Sequence, residues 1–268
     1  MMDIITELFS PFYDIYQKIA TSLALVTNSF SNVFLNIYII LITAIIFLLL
    51  HKFRTIPIVR NISIAASFFP VLIHELGHAI TAQLVGGKVE DIRMVLTYRQ
   101  QQATEKQGYA ITKANSKLKF VFITFFGYIA APLMLFSGVY LAAKDMTAAF
   151  LFLCIISLFF YLAKTTQKWI PIILILLVIY SCYNLIYDGY EPITISISII
   201  YNLLLGLLAG ETIQSIIITT KIAFSRTKTE WDGSAMRKLT FVPVYFWWLV
   251  WTLFSIYMLY QTFMYINN

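Results

Sequence analysis

Seven long apolar runs constrain the fold of this 268-residue chain more than any other feature of its sequence. A helix needs about 20 mainly apolar residues to cross a bilayer. The runs lie at about 33–50, 62–85, 119–142, 147–163, 169–187, 195–218 and 241–260. Charged residues make up only 12% of the chain, about half the share of a soluble domain. The sequence therefore predicts an all-α polytopic membrane protein with about six to seven transmembrane helices.

One polar connection, residues 86–119, carries a different pattern. Residues 89–98 partly alternate and are rich in strand-forming types, and residues 108–112 could pair with them. The polar run Arg99 to Gln107 between them is predicted to be a turn or loop. We therefore predict a short membrane-associated β-hairpin at about 88–112.

The domain organisation is predicted to be simple. Residues 1–31 contain Asp3, Glu7 and Asp14 and lack a basic start, which argues against a cleavable signal peptide. This segment is predicted to be an amphipathic helix at the interface. No internal repeat or linker divides the remainder, so residues 32–268 are predicted to form a single transmembrane domain.

The net charge of +6 does not indicate nucleic acid as a partner, because excess Lys and Arg in membrane proteins usually lie in cytoplasmic loops. With seven alternating spans and a cytoplasmic N-terminus, 15 of the 19 Lys and Arg residues fall on the cytoplasmic side. The positive-inside rule favours that orientation. The predicted surroundings are therefore a lipid bilayer, with the N-terminus in the cytoplasm.

Polar groups interrupt the second apolar run in the segment VLIHELGHAI, residues 71–80. His74 and His78 are four residues apart and share one face of a helix. Two imidazoles at that spacing can bind one Zn²⁺, and Glu75 can act on a water as general base. Ionisable groups within spans are rare and mark functional sites. The pattern predicts a zinc site; the alternative is a pair of histidines that hydrogen-bond between helices, with Glu75 as their partner.

Catalytic zinc keeps three protein ligands, so one more ligand is needed. The remaining histidine, His51, stands alone at the end of the first run and is interpreted as an interfacial residue. Two carboxylates fall on the same predicted side of the membrane as the histidines. Asp232 lies just before the last run, and Glu211 lies within the sixth. The residues alone leave both open.

The segment HELGHA, followed by Gly86-Gly87, resembles the zinc motif of site-2-protease-type intramembrane metalloproteases. More specifically, it is similar to their compact bacterial branch, which lacks an inserted PDZ domain. Further segments resemble that branch in the same order. They are Gly127-Tyr128-Ile129-Ala130, Asp232-Gly233-Ser234-Ala235, Leu239-Thr240, Pro243 and Trp247-Trp248. The resemblance covers about residues 62–251.

The resemblance implies that His74 and His78 bind zinc, that Glu75 acts as base and acid, and that Asp232 is the third ligand. It also implies that the hairpin presents an extended substrate strand and that residues 32–268 form one metalloprotease domain. One motif departs from the better-studied members, which carry Asn-x-x-Pro just before Asp-Gly. Here Asn202-Leu203-Leu204-Leu205 lacks the proline and lies far from Asp232, so Glu211 is kept as the alternative ligand.

The predicted function is that of an intramembrane zinc endopeptidase in a bacterial cell membrane. It would hydrolyse a peptide bond of a membrane-embedded or membrane-associated protein or peptide. The alternative is a non-enzymatic membrane protein, either a pseudoprotease or a transporter component, that binds membrane segments without cutting them.

Overall fold

The computed structural model describes residues 17, 33–187, 191–226 and 229–267. Within these residues the chain forms nine helices and one two-stranded sheet. In order they are α1 (Ile37–Lys52), α2 (Pro57–Leu84), β1 (Lys88–Met94), α3 (Tyr98–Thr104), β2 (Gly108–Lys113), α4 (Lys117–Ala142), α5 (Thr147–Lys164), α6 (Trp169–Tyr187), α7 (Glu191–Ala223), α8 (Asp232–Thr240) and α9 (Val244–Asn267). The predicted amphipathic segment, residues 1–31, lies outside the described residues apart from Gln17.

Five of the described helices are long and apolar enough to cross a membrane, namely α2, α4, α5, α7 and α9. Two shorter apolar helices, Ile37–Lys52 and Trp169–Ser181, coincide with the first and fifth predicted runs. Large apolar side chains are exposed on the outer faces of these helices, where lipid takes the place of water. The prediction of an all-α polytopic membrane protein is confirmed; the seven predicted spans comprise five long helices and two shorter ones.

The predicted hairpin is present, but its connection differs from the prediction. β1 and β2 pair antiparallel, from Lys88 opposite Lys113 to Met94 opposite Gly108. The run predicted to be a loop contains the short helix α3, whose N-cap Thr97 accepts a hydrogen bond from the backbone of Gln100 at 3.3 Å. The run contains four Gln together with Arg, Ala, Glu and Lys, all of which favour helix. Its polar composition was therefore a poor guide to its conformation.

The loop between α5 and α6 covers the outer edge of β1. The hydroxyl of Thr165 donates to the carbonyl oxygen of Ile92 at 2.6 Å. The Gln167 amide accepts from the backbone N–H of Met94 at 2.8 Å and donates to the carbonyl of the same residue at 3.1 Å. These side chains replace a neighbouring strand. Among the described residues, only the outer edge of β2 is left without such a cover.

α1 and α7 pack side by side and run in the same direction. The backbone N–H of Asn36 donates to the side chain of Asn202 at 2.8 Å, and further along both helices Phe47 packs against Gly210. Small residues such as Gly210 allow helices to approach closely. If the seven predicted spans alternated strictly across the membrane, the first and sixth spans would run in opposite directions. These spans correspond to α1 and α7, which are parallel, so α1 does not follow the predicted alternation. The cytoplasmic location of the N-terminus stays a prediction.

Candidate metal centre

α2 and α8 bring three ligand-type side chains to one point. His74 and His78 lie one turn apart on α2, and Asp232 is the first residue of α8. Oδ2 of Asp232 lies 3.4 Å from Nε2 of His74 and 3.3 Å from Nε2 of His78. The two Nε2 atoms are 3.1 Å apart. This is the group of His, Cys, Asp and Glu side chains in the described residues that could hold a metal ion.

The spacing of these three atoms fits a tetrahedral zinc ion. Zinc binds histidine nitrogen and carboxylate oxygen at about 2.0–2.2 Å, which places neighbouring ligand atoms of a tetrahedral site about 3.3 Å apart. The measured separations of 3.1, 3.3 and 3.4 Å agree with that value. Two imidazoles and one carboxylate are also a donor set that suits zinc. The residues present therefore fit the metal that the sequence predicts.

A backbone carbonyl fixes the orientation of His78. Its Nδ1 lies 2.7 Å from the carbonyl oxygen of Ile123 on α4. A carbonyl oxygen only accepts hydrogen bonds, so Nδ1 carries a proton, and Nε2 is the nitrogen that faces His74 and Asp232. Such outer partners orient metal-binding histidines in many proteins. The ring of His74 is held differently, edge-on to Tyr128 with centroids 4.8 Å apart.

Two glycines let α2 and α4 approach at the level of the histidines. A Cβ at Gly77 would meet the backbone oxygen of Phe126 at 2.6 Å and the side chain of Ala130 at 2.8 Å. A Cβ at Gly127 would overlap the imidazole of His78. The Gly127-Tyr128 pair, singled out in the sequence by resemblance, therefore lies directly against both histidines.

Asp232 is ionised at the start of its helix. A reciprocal pair of hydrogen bonds between Trp231 and the Ser234 hydroxyl closes the first turn of α8, and a helix N-terminus favours negative charge. Burial opposes ionisation, but the imidazoles of His78 and His74 hold the pKa of the Asp232 carboxyl below its usual range by charge and hydrogen bonding. The carboxylate is thus in the protonation state that a metal ligand requires.

Glu75 lies beside the ligand group without being part of it. It is 7% exposed, and it is oriented towards the start of β2. Gly108 also packs against it, since a Cβ there would lie 3.2 Å from Cγ of Glu75. The glutamate that the sequence predicts as general base is therefore held between α2 and the start of β2.

The two remaining sequence candidates lie elsewhere. Glu211 borders the same cavity as the histidines, but its Oε1 accepts a hydrogen bond from the Ser215 hydroxyl at 2.9 Å and it lies outside the ligand group. His51, interpreted as interfacial, is buried with 6% exposure. It hydrogen-bonds the backbone oxygen of Phe47 and the hydroxyl of Ser67, so the interfacial interpretation was wrong. Its partners on α1 and α2 fix the packing of those two helices.

A cavity of about 520 Å³ opens onto the ligand group, and β2 forms one of its walls. The backbone N–H of Val95 donates to Gln107 at 2.9 Å, next to the paired residues Met94 and Gly108. Hydrogen-bonded and non-hydrogen-bonded pairs alternate along an antiparallel ladder. The N–H and C=O groups of Gly108 and Ala110 therefore point away from β1, towards the outer edge where Glu75 lies.

Several groups at this site carry no signal in the sequence. The carbonyl of Ile123, which orients His78, is a backbone group of the kind that every residue has. Gln167 lies 73 residues beyond the strand that it covers. Of the groups around the histidines, the Gly127-Tyr128 pair was singled out in the sequence, by resemblance.

Similarity to a known protein family extends over most of the chain. The model of one family, described as Peptidase M50B-like, matches residues 38–262. No curated protein and no solved structure gives a significant match. The matched segment includes both histidines, Glu75 and Asp232, together with the hairpin.

Proposed function

This chain belongs to the Peptidase M50B-like family, a family of membrane zinc metalloproteases, and on that premise we propose that it is an intramembrane endopeptidase. The family match confirms the resemblance to site-2 proteases. The proposed substrate is a membrane-embedded or membrane-associated protein or peptide. The observation that carries the proposal is the spacing of 3.1–3.4 Å among the ligand atoms of His74, His78 and Asp232.

In the proposed reaction, His74, His78 and Asp232 would hold a zinc ion, which would supply Lewis acidity to a water molecule and to the scissile carbonyl. Glu75 takes a proton from the attacking water and passes it to the leaving amide nitrogen. Glu75 follows the first histidine directly in sequence, and Gly108 packs against its side chain. The low exposure of Glu75 keeps bulk water from competing for its proton.

The substrate is proposed to bind as an added strand on β2. A peptide bond within a membrane helix is protected because its N–H and C=O groups are paired inside the helix. An extended peptide can instead pair with an open sheet edge. The outer groups of Gly108 and Ala110 offer that edge beside Glu75, whereas Thr165 and Gln167 already cover β1. Pairing at β2 would place the unwound backbone in the cavity.

Glu75→Gln tests the proposal, with Glu211→Gln as the matched control in the same cavity. Both variants are purified, their zinc content is measured, and each is expressed in native membranes to trap substrates for mass spectrometry. We expect Glu75→Gln to keep zinc, to retain bound substrate and to lose cleavage, while Glu211→Gln cleaves normally. Full cleavage by Glu75→Gln would overturn the proposal. A wild-type protein that captures segments, binds zinc and never cuts them would favour the non-enzymatic alternative.

The membrane is proposed to be that of a bacterial cell, with the N-terminus in the cytoplasm. The excess of Lys and Arg in the segments that follow α5 and α7 supports a cytoplasmic location for those segments; the location of the N-terminus is a separate proposal, because α1 does not follow the alternation of spans. Labelling of single cysteines introduced at Lys18 and Lys144 with an impermeant reagent would test it. Reaction at Lys18 from outside intact cells would overturn the cytoplasmic location of the N-terminus.

A further inference from the structure

A second cavity, of about 460 Å³, lies between the α1–α2 connection and the tip of the hairpin. Its lining includes three cationic residues, Arg54, Arg60 and Lys106, and one acidic residue, Glu105. The cavity is therefore cationic. It shares no residue with the proposed metal ligands.

Both arginines of this cavity are held in place without an anionic partner. The guanidinium of Arg60 lies over the ring of Tyr98, 3.5 Å from its centroid, and its buried Nε has no hydrogen-bond partner. The guanidinium of Arg54 donates to the Gln101 side chain at 2.9 Å. Within the described residues neither arginine forms an ion pair. Buried or half-buried cations usually have a counter-charge, and none of the described residues supplies one by an ion pair.

The surroundings of the cavity are apolar and face outward. Phe53, Ile56, Ile58 and Ile62, on the same connection and the first turns of α2, are 47–73% exposed. In a membrane protein such side chains contact lipid. A ligand that combines a negative charge with acyl chains would match both the cationic cavity and this apolar rim.

We propose that this cavity binds the phosphate of an anionic phospholipid headgroup, with the acyl chains along the apolar rim. Guanidinium groups bind phosphate through two parallel hydrogen bonds, and basic pockets between transmembrane helices bind phospholipid headgroups. Arg60 is oriented by stacking and Arg54 by Gln101, so little side-chain ordering is left for binding.

Binding at this cavity would also order one wall of the larger cavity. Glu105, Lys106 and Gln107 border both cavities. They lead directly into Gly108, which packs against Glu75. A bound headgroup would therefore hold the hairpin tip and, through it, the beginning of the β2 edge.

The test measures lipid binding without relying on proteolysis. The wild type, Arg54→Gln, Arg60→Gln and the control Arg99→Gln are reconstituted in vesicles of phosphatidylcholine, with and without phosphatidylglycerol. Arg99 is an exposed cation next to Tyr98 that does not line the cavity. We expect phosphatidylglycerol to raise the thermal midpoint and slow amide exchange at residues 98–108 in the wild type and in Arg99→Gln. Each cavity variant should bind about tenfold more weakly, the loss expected for a hydrogen bond to a charged group.

Equal thermal midpoints in phosphatidylcholine alone would show that the cavity variants fold normally. Titration with inorganic phosphate distinguishes a lipid headgroup from a soluble phosphate as the ligand. Stabilisation by inorganic phosphate at concentrations as low as those of the lipid would overturn the lipid assignment in favour of a soluble anion. An equal response of Arg54→Gln, Arg60→Gln and wild type to phosphatidylglycerol would overturn the site itself.

Discussion

Gly127 lies against the imidazole of His78 so closely that a Cβ at this position would overlap the ring. The same ring is fixed on its other nitrogen by the carbonyl of Ile123 at 2.7 Å. His78 therefore cannot move aside without losing that bond. The contact between α4 and α2 determines where Nε2 of His78 points.

Gly127→Ala is expected to reduce zinc binding by displacing His78. Gly138→Ala, on the same helix α4, is the matched control. A Cβ at Gly138 would crowd Leu205 and Phe150, which lie away from the proposed metal ligands. Both variants should lower the thermal midpoint, since overpacking costs about 1–3 kcal/mol. Only Gly127→Ala should lose metal, by about tenfold or more in affinity. Equal zinc content in the two variants would contradict the role assigned to Gly127.

Asp232→Asn is expected to weaken zinc binding far more than Glu211→Gln. Asp232 lies 3.3–3.4 Å from both Nε2 atoms, whereas Glu211 is hydrogen-bonded to Ser215. An amide in place of the carboxylate removes the charge that the metal needs. Competition with a chelator measures both affinities. If Glu211→Gln loses zinc and Asp232→Asn keeps it, the third ligand is Glu211.

Gln167→Ala is expected to loosen the hairpin. The Gln167 amide makes two hydrogen bonds to the backbone of Met94, and their loss would uncover the outer edge of β1. Amide exchange at residues 88–94 should become faster. For a peptide substrate, the factor by which KM rises should be about ten times the factor by which kcat falls, because the variant positions the substrate less well and leaves the catalytic groups in place.

Ser157→Ala on α5 is the matched control for Gln167→Ala, because it also removes a hydrogen bond to a backbone carbonyl. The Ser157 hydroxyl donates within its own helix, to the carbonyl oxygen of Leu153 at 2.7 Å. Its loss should therefore leave amide exchange in the hairpin as it is in the wild type. Unchanged exchange at residues 88–94 in Gln167→Ala would show that β1 does not depend on this cover.

Asp91→Asn is expected to lower stability and to remove part of its dependence on pH. Asp91 is 5% exposed; its carboxylate accepts from Arg93 at 2.6 Å and from the N–H and hydroxyl of Thr166, each at 2.8 Å. Burial would raise its pKa, but these hydrogen bonds and the Arg93 charge lower the pKa below the ordinary 3.8. The stabilisation is therefore complete above the unfolded pKa and is lost as pH falls below about 4.

The thermal midpoint measured from neutral pH to below pH 4 checks this prediction. The wild type should lose stability across the acidic range. The free energy of unfolding of Asp91→Asn should be about 1–3 kcal/mol lower than that of the wild type at neutral pH, and it should change less as the pH falls. Glu230→Gln is the control, because its ion pair with Lys238 is exposed at the surface. Parallel pH profiles of the thermal midpoint for the wild type and Asp91→Asn would show that Asp91 does not contribute to the pH dependence of stability.

Local patterns in the sequence were sufficient to predict the membrane-spanning helices and the strands of the hairpin. Apolar runs locate the spans because lipid excludes charge, and two histidines four residues apart share a helix face because a helix repeats about every 3.6 residues. The hairpin strands were also predictable from residue type. The helix α3 was not, because the polar residues of a loop and of a short exposed helix are much the same.

The sequence by itself therefore determined that this is a membrane protein with His74, Glu75 and His78 on one helix. Only the tertiary structure decided that Asp232 rather than Glu211 lies at both Nε2 atoms, that α1 runs parallel to α7, and that the β2 edge stays open. Those facts depend on contacts between residues far apart in the chain. Hydropathy and spacing report on a residue's surroundings or on its near neighbours, and neither specifies which distant segment packs against it.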